Sequence, residues 1–353
     1  MAFFSIIIPA FNCEETLSRA INSVLSQDYH DYEVIIVNDG SVDQTKRVAM
    51  EYIERSPKIK LFNIENSGPS AARNLGLDNA SGQYVLFIDS DDMLQQGTLQ
   101  YLHEQLDDGH NDVLIFGFTI TDANMHPIMD YGAGDAVFSN RAELGNELPG
   151  LYQANLLNQV WNKAYSLNWL KNTAVRFEDY RYAEDRLFVL EILRHVRRVK
   201  VAQKPCYLYV NSGNASLISR YNDKKFECSL LVNRRIRSLA QECGNESAFA
   251  AEVWDYMFFK TIVSCMTQLY HPTCPLNAKQ RRNAIRQILD HPDVHRKFYL
   301  NRDAGLHTRV LYGIIRTRMI WLISLALRSI VKIGSGDTKR FIRLKHRSID
   351  NKE

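Results

Sequence analysis

Residues Tyr84–Met93 read YVLFIDSDDM, a charge-free run that ends in three carboxylates within four positions. Where strand geometry persists past Ile88, Asp89 and Asp91 lie two apart and point the same way, so both face one cation. Oxygen ligands suit hard ions such as Mg²⁺ or Mn²⁺, which complete their shells with substrate phosphates. That chemistry points to a nucleotide diphosphate. The segment SGPSAARNLGL supplies the complementary group: a helix opening at Gly68-Pro69-Ser70 turns free backbone N–H groups toward an anion, with Arg73 one turn inside it. Taken singly, such residues have plainer readings as solvated loop acids and a surface arginine.

The elements that must deliver these groups are visible as punctuation. The runs FSIIIP, EVIIV, KIKLFNI, YVLFI and DVLIFGF alternate with helical stretches such as Glu14–Ser26 and Thr45–Arg55. Alternation of this kind predicts an α/β fold, a mainly parallel sheet with covering helices. Pro69 and Gly82 mark a helix near 69–80. Ligands of open α/β sheets bind outside the carboxyl ends of the strands. The ends PAFNCEE, NDGSVD and DSDD should therefore gather Glu14, Asp39, Asp89, Asp91 and Asp92 along one edge. Singly, Glu14 also fits a helix N-terminus and Asp39-Gly40 a turn.

A chain of 353 residues exceeds the roughly 250 at which single cores stop growing, so two domains are expected. Its 45% hydrophobic and 24% charged residues exclude a disordered protein. The net charge of +3 is uneven: residues 301–353 hold twelve Lys and Arg against four Asp and Glu. The six cysteines show no CxxC pair or zinc-ligand spacing, and reduced structural thiols are expected. FFSIIIPAF lacks a basic leader and reads as a strand rather than a signal peptide, so a cytoplasmic location is expected.

Residues 119–150 are rich in Gly, Asn, Asp and Pro, which predicts loops and an irregular edge strand. From about 226 onward FECSLLVNRRIRSLAQEC, AEVWDYMFFKTIVSCMTQLY and NAKQRRNAIRQIL read as helices, with a boundary near 220. The apolar stretch 309–333 is interrupted by Arg316, Arg318 and Arg328, and its longest charge-free run is far short of the roughly 20 residues a membrane span needs. Peripheral contact with an anionic membrane through residues 309–347 is one reading; a core helix with a basic tail, or an oligomer contact, are others. The basic residues lack interleaved aromatics and a recognition motif, so nucleic acid is not an expected partner. Oligomeric state is not legible.

SIIIPAFNCEETLSRAINSVLSQDYHDYEVIIVNDGSVDQT, ENSGPSAARNLGL and YVLFIDSDD together resemble the nucleotide-binding half of a family 2 glycosyltransferase of the GT-A fold. The likeness is close over 4–118 and looser to about 220. It implies a GT-A domain over 1–220, divided into a nucleotide half (1–118) and an acceptor half (119–220), and a helical region with a basic tail over 221–353. It further implies that Pro9, Phe11, Glu14 and Asp39 hold the base and ribose of a sugar nucleotide, with Asn66 and Arg73 nearby. Asp89 and Asp91 become the DxD pair, Asp91 touching Mn²⁺ or Mg²⁺. NQVWNKAYSLNWLKN resembles the family's W-N-K segment, in which Trp161 reads as a core anchor. RFEDYRYAEDRLFVLEIL resembles its acceptor-side E-D motif. The implied base is Asp185 with Glu184 beside it; the pair Glu178-Asp179 is the alternative, and acids in a helix's first turn also satisfy the dipole without any catalytic task. YLYVNSGNASLISR resembles a segment leading into a loop beside the acceptor. The expected reaction is an inverting transfer from a nucleotide-sugar donor, UDP by likeness, to a hydroxyl of a glycan or lipid-linked saccharide, as in bacterial surface-polysaccharide assembly. The competing functions are a sugar-nucleotide-binding protein without turnover and a DxD phosphohydrolase.

Overall fold

The computed structural model describes residues 2–180, 182–211, 221–295, 298–299 and 304–334. The chain divides into two compact units, Met1–Ser212 and Gly213–Glu353.

The first unit is built on one sheet of strands β1 (Phe4–Ala10), β2 (Tyr32–Asp39), β3 (Ile59–Ile64), β4 (Tyr84–Phe87), β5 (Met93–Leu94), β6 (Val113–Asp122), β7 (Pro127–Tyr131), β8 (Ala136–Phe138), β9 (Lys163–Ser166) and β10 (Val199–Asn211). The order is β3-β2-β1-β4-β9-β6-β10-β5, with β7 beside β6 and β8 beside β10. β3, β2, β1 and β4 run parallel. Beyond them the sheet is mixed: β9 is antiparallel to both β4 and β6, and β10 is parallel to β6. The fold is α/β with flanking helices, as the alternation predicts. Consecutive residues Ile6–Ile8 and Val34–Val37 are fully buried, so both faces of the central strands are covered. This explains why they read as unbroken β-branched runs rather than alternating ones. Each such side chain contributes about 1.5–3 kcal/mol by burial.

The covering helices are α1 (Leu17–Leu25), α2 (Thr45–Arg55), α3 (Pro69–Asp78), α4 (Thr98–Leu106), α5 (Arg141–Gln153), α6 (Leu167–Thr173) and α7 (Glu184–His195). α3 begins at Pro69, whose missing N–H costs nothing at a first turn. It seats directly on β1 because Gly76 has no side chain: a Cβ there would overlap Ile7. That close seat carries Arg73 to the edge of the sheet.

Two expectations are corrected here. Residues 119–150 are not mainly loops: β6 continues to Asp122, two short strands follow, and α5 closes the segment. Its helical signal is masked by Gly145, Pro149 and Gly150, while Asn140 caps it by accepting from the Glu143 N–H. Strand geometry also stops at Phe87. Asp89–Asp92 form a turn closed by the Asp92 N–H donating to the Asp89 carbonyl at 3.0 Å, so the two-residue strand period does not align Asp89 with Asp91.

The second unit is helical: α8 (Lys225–Glu242), α9 (Ala248–Thr267), α10 (Ala278–Asp290), α11 (Pro292–His295), α12 (Leu306–Arg316) and α13 (Ile320–Gly334). Phe258, Phe259, Ile262, Met266, Ile285 and Leu327 form its core. The apolar stretch 309–333 is two helices rather than one. The chain turns at Arg318, with φ 56°, and the Thr317 hydroxyl accepts from the Met319 N–H, which lets Ile323 and Leu327 reach the core. Among the described residues no helix is long and apolar enough to cross a membrane. All six cysteines are buried.

Candidate active site

The carboxyl ends of β1, β2 and β4 lie side by side through the pairings Ala10 with Asn38 and Ile7 with Phe87. Pro9 is half-buried beside Val37, and Phe11 stands exposed at the rim. Glu14 accepts from the Gln44 N–H at 2.7 Å, tying the loop after β1 to the start of α2. The helix N-terminus it serves belongs to another element than its own. Asp39 is buried, and its two oxygens accept from the Ser67 and Gly68 N–H groups at 2.7 and 2.9 Å. It fixes the loop that opens α3. Gly40, with φ 68°, allows that loop to close: a Cβ there would sit 2.6 Å from the Asn66 nitrogen. Asn66 itself is exposed.

Arg73 is the centre of the site. It is buried, and its Nη2 donates to Asp89 Oδ1 at 3.0 Å, while Nη1 lies 2.8 Å from Asp185 Oδ1 and 3.5 Å from Glu184 Oε1. Its guanidinium carbon stands 5.5 Å above the centre of the Phe177 ring. One cation thus joins the strand-end acid to the E-D pair. Burial works against the charged guanidinium, but Asp185, Asp89 and Glu184 outweigh it and raise Arg73 above its ordinary value. Arg73 Nε, Nη1 and Asp185 Oδ1 are buried without an aligned hydrogen bond among the described residues, so latent donors and an acceptor remain in the site.

Glu184 and Asp185 reach Arg73 because the segment before them is clamped to α3. Asn74 exchanges two hydrogen bonds with the Phe177 backbone, and the Ser70 hydroxyl donates to the Glu178 carbonyl. Phe177 stacks on Phe188 with ring centres 3.8 Å apart. Ala183 then takes φ 64°, a left-handed conformation costing about 1–2 kcal/mol for a residue with a side chain, and starts α7 with both acids in its first turn. Glu178 and Asp179 are exposed and lie outside the Arg73 cluster. Burial pushes Asp185 up to about 7; Arg73 and Lys163 pull it down, while Glu184 and Asp89 push it further up.

The W-N-K segment underlies the site. Trp161 is buried and stacks on Tyr207 with ring centres 4.2 Å apart. The Tyr207 hydroxyl accepts from the Asp89 N–H at 3.1 Å and donates to Asp92 Oδ2 at 2.9 Å; Asp92 Oδ1 accepts from the Val210 N–H. Asp92 is therefore a buried anchor for the turn, and burial with Asp91 and Asp89 nearby raises its carboxyl well above the usual range. Asn162 donates to the Phe116 and Leu156 carbonyls. Lys163 is fully buried and donates to the Leu156 and Gln159 carbonyls and to Asn162 Oδ1.

Asp91 sits at the solvent edge, its carboxyl raised by partial desolvation and by the Asp89 charge, with Arg19 opposing. Arg19 also donates to the Asp91 carbonyl. Two hard carboxylates that repel each other at a strand end fit a divalent cation whose shell is completed by phosphate oxygens. Among the described residues no three His, Cys, Asp or Glu gather in metal-ligand geometry, so oxygens from a diphosphate would have to complete the set. Sequence reasoning missed Tyr207, Arg19 and Phe177 as site-builders, each of which acts through a partner distant in the chain; it also missed Lys163, which acts through groups within seven residues of itself. Residues 212–220, which hold the end of the YLYVNSGNASLISR segment, lie outside the described residues.

Residues 5–163 match the model of the family described as glycosyl transferase family 2. An uncharacterized glycosyltransferase EpsJ of Bacillus subtilis is 30% identical over 212 residues, 60% of this chain and 62% of that protein. The poly(ribitol-phosphate) beta-N-acetylglucosaminyltransferase TarS of Staphylococcus aureus is 30% identical over 223 residues, 62% of this chain and 37% of that protein. The chain thus spans less than two thirds of the length of these relatives. A crystal structure of S. aureus TarS 1-349 in complex with UDP-GlcNAc superposes with a TM-score of 0.63 at 22% identity, covering 94% of this chain and 92% of that one, and bears out the fold. Residues 5–163, which carry Asp39, Arg73, Asp89 and Asp91 but not Glu184 and Asp185, are thus similar to glycosyl transferase family 2.

Proposed function

We propose that the protein is an inverting glycosyltransferase that moves a sugar from a nucleotide donor, UDP-linked, to a hydroxyl of a glycan or lipid-linked saccharide. The observation that carries this reading is the Arg73 cluster, in which one guanidinium touches both the strand-end acid Asp89 and the E-D acid Asp185. Donor-side and acceptor-side groups then meet where a transferred sugar must sit. The family match and the UDP-GlcNAc complex of TarS support the donor class. The names of TarS and of the minor teichoic acid biosynthesis protein GgaA of B. subtilis support a cell-surface polymer as acceptor.

In this reading Asp185 takes the acceptor proton as the new carbon–oxygen bond forms and the bond to the diphosphate breaks on the opposite face. Such general-base help is worth about 10²–10⁴ in rate. A carboxyl raised to about 7 is half ionised at neutral pH, close to the optimum for moving a proton there. Glu184 and Arg73 hold it in place, and the buried guanidinium offsets charge that develops on the leaving diphosphate. Asp89 and Asp91 would hold Mn²⁺ or Mg²⁺, which supplies Lewis-acid stabilisation of that diphosphate when bound. Pro9 and Phe11 line the place for the base, while Glu14, Asp39 and Asn66 shape the loops around the ribose. The enzyme works in the cytoplasm, peripheral to the inner face of the membrane through residues 309–347; of these, 335–347 lie outside the described residues.

Titration calorimetry of UDP, GDP and CDP with and without Mn²⁺ tests the donor site. Metal-dependent binding of UDP that weakens on Asp91→Ala is expected. A folded protein that binds none of the three nucleotides overturns the transferase reading.

A further inference from the structure

In the second unit, α10 and the start of α13 enclose an open groove of about 640 Å³. Lys279, Arg282 and Arg286 line it from α10, at i, i+3 and i+7, and therefore from one face of that helix. Arg318, Ile320 and Trp321 line the other side, and among the described residues no carboxylate lines the groove. Arg318 is neutralised by Asp290 just outside, which leaves the three α10 cations as the charge of the site. None of the family's site residues lies here.

Next to these charges the surface is apolar. Trp321 is 62% exposed, Leu325 is 58% exposed and Met319 is 44% exposed. Trp321, Leu325, Arg328 and Lys332 follow the i, i+4, i+7, i+11 spacing, so α13 turns a single outward face that begins with an indole and ends in cations. The opposite face buries Ile323 and Leu327 in the core. Residues 304–334 contain five Lys and Arg and no Asp or Glu. A cationic groove flanked by an exposed indole and aliphatic side chains is the composition of a surface that lies in the membrane interface.

We propose that this α10–α13 face is a docking surface for an anionic lipid bilayer, with lipid phosphates in the groove among Lys279, Arg282 and Arg286 and with Trp321 and Leu325 at headgroup level. The inference deepens the peripheral contact proposed for residues 309–347. It adds α10, which the apolar stretch of sequence does not include, and moves the phosphate contacts from the tail to a built groove. A soluble phosphodiester polymer would use the same cations but would leave the indole and the leucine unemployed.

The test is flotation of the full-length chain with vesicles of phosphatidylcholine alone and of phosphatidylcholine mixed with phosphatidylglycerol. Binding to the mixed vesicles is expected, with little to phosphatidylcholine. Each cation near an anionic surface is worth about fivefold, so the combined Lys279→Gln, Arg282→Gln and Arg286→Gln variant should bind roughly a hundredfold more weakly. Trp321→Ala should lose roughly tenfold. Exchanging the three cations as Lys279→Arg, Arg282→Lys and Arg286→Lys should keep binding, which separates charge from packing. Unchanged flotation of the Gln variant overturns the groove and leaves binding to the tail. Binding of polyphosphate that depends on the three cations while Trp321→Ala floats normally overturns the bilayer in favour of a soluble polyanion. UDP calorimetry on the same variants keeps the two readings apart: intact UDP binding with failed flotation removes only the membrane surface, and the reverse removes only the transferase.

Discussion

Carboxylates sit at both ends of the same sheet and titrate in opposite directions. At the amino ends, Glu33 of β2 accepts from the Ser5 hydroxyl, the Ser81 N–H and hydroxyl, and the Lys60 ammonium. Burial alone would raise it, yet these donors bring it down to about 2. At the carboxyl ends, Asp89, Glu184 and Asp185 share the single guanidinium of Arg73, and Asp185 is pushed up to about 7. Glu33 is buried and Asp185 half-buried, and the count of donors per carboxylate differs as well. A saturated acid is a clamp for strands β1, β2 and the approach to β4. An acid cluster short of positive charge and hydrogen-bond donors is poised for ligands that bring them.

The comparison is broken most severely at Asp185. Asp185→Asn should lower the rate of transfer by about 10²–10⁴ while UDP affinity stays within about threefold. Loss of UDP binding in calorimetry together with turnover would make Asp185 a donor-side or structural group. The acid limb of kcat/KM in the parent enzyme should fall near pH 7, since only the ionised form accepts a proton.

Next in size is Arg73→Gln, which leaves three carboxylates around a neutral amide. Removing one partner of a buried ionic group costs about 3–5 kcal/mol, to be read from urea unfolding. A loss below about 1 kcal/mol would mean that solvent, rather than Arg73, satisfies the acids.

Glu33→Gln should cost about 1–3 kcal/mol, the penalty for disturbing a buried hydrogen-bond set. The pH dependence sharpens the contrast because the signs are opposite. The Glu33 carboxyl is lowered from 4.5 to about 2, so its contribution to stability is present above pH 4.5 and lost as pH falls toward 2. The Asp185 carboxyl is raised from 3.8 to about 7, so its contribution is present below pH 3.8 and lost as pH rises through 7. Stability curves of the two variants against the parent should differ in those separate windows; a common window would show that the two ends are not distinct.

The smallest effect is expected at Asp179, exposed and outside the cluster. Asp179→Asn should alter stability by less than about 0.5 kcal/mol and leave turnover within about twofold. A large loss of turnover would return the base to the Glu178-Asp179 pair.

Much of this contrast was legible before the fold was known. β1, β2 and β4 announce themselves as unbroken apolar runs because they are buried on both faces. Their polar ends name Asp39 and Asp89 as edge groups, and Pro69 marks the start of α3. α5 was hidden because Gly145, Pro149 and Gly150 contradict its helical state locally, and packing of Leu144, Leu148 and Leu151 overrides them. The break at Arg318 was hidden because nothing in IIRTRMIW signals a turn. Asp92 could not be separated from its acidic neighbours, since its partner Tyr207 lies 115 residues away.

The amino-acid sequence by itself determined which residues stand at which strand ends, because strand burial and helix punctuation are written in short-range patterns. It also determined the chemistry on offer: acids after β2 and β4, a cation one turn into α3 and two acids at the start of α7. Only the tertiary structure decided how that chemistry is divided. Glu33 meets four donors and Asp92 two, whereas Asp89, Glu184 and Asp185 meet one shared guanidinium. Whether a carboxylate becomes a clamp or a reactive group depends on the donors brought to it from distant segments, and local sequence does not encode that count.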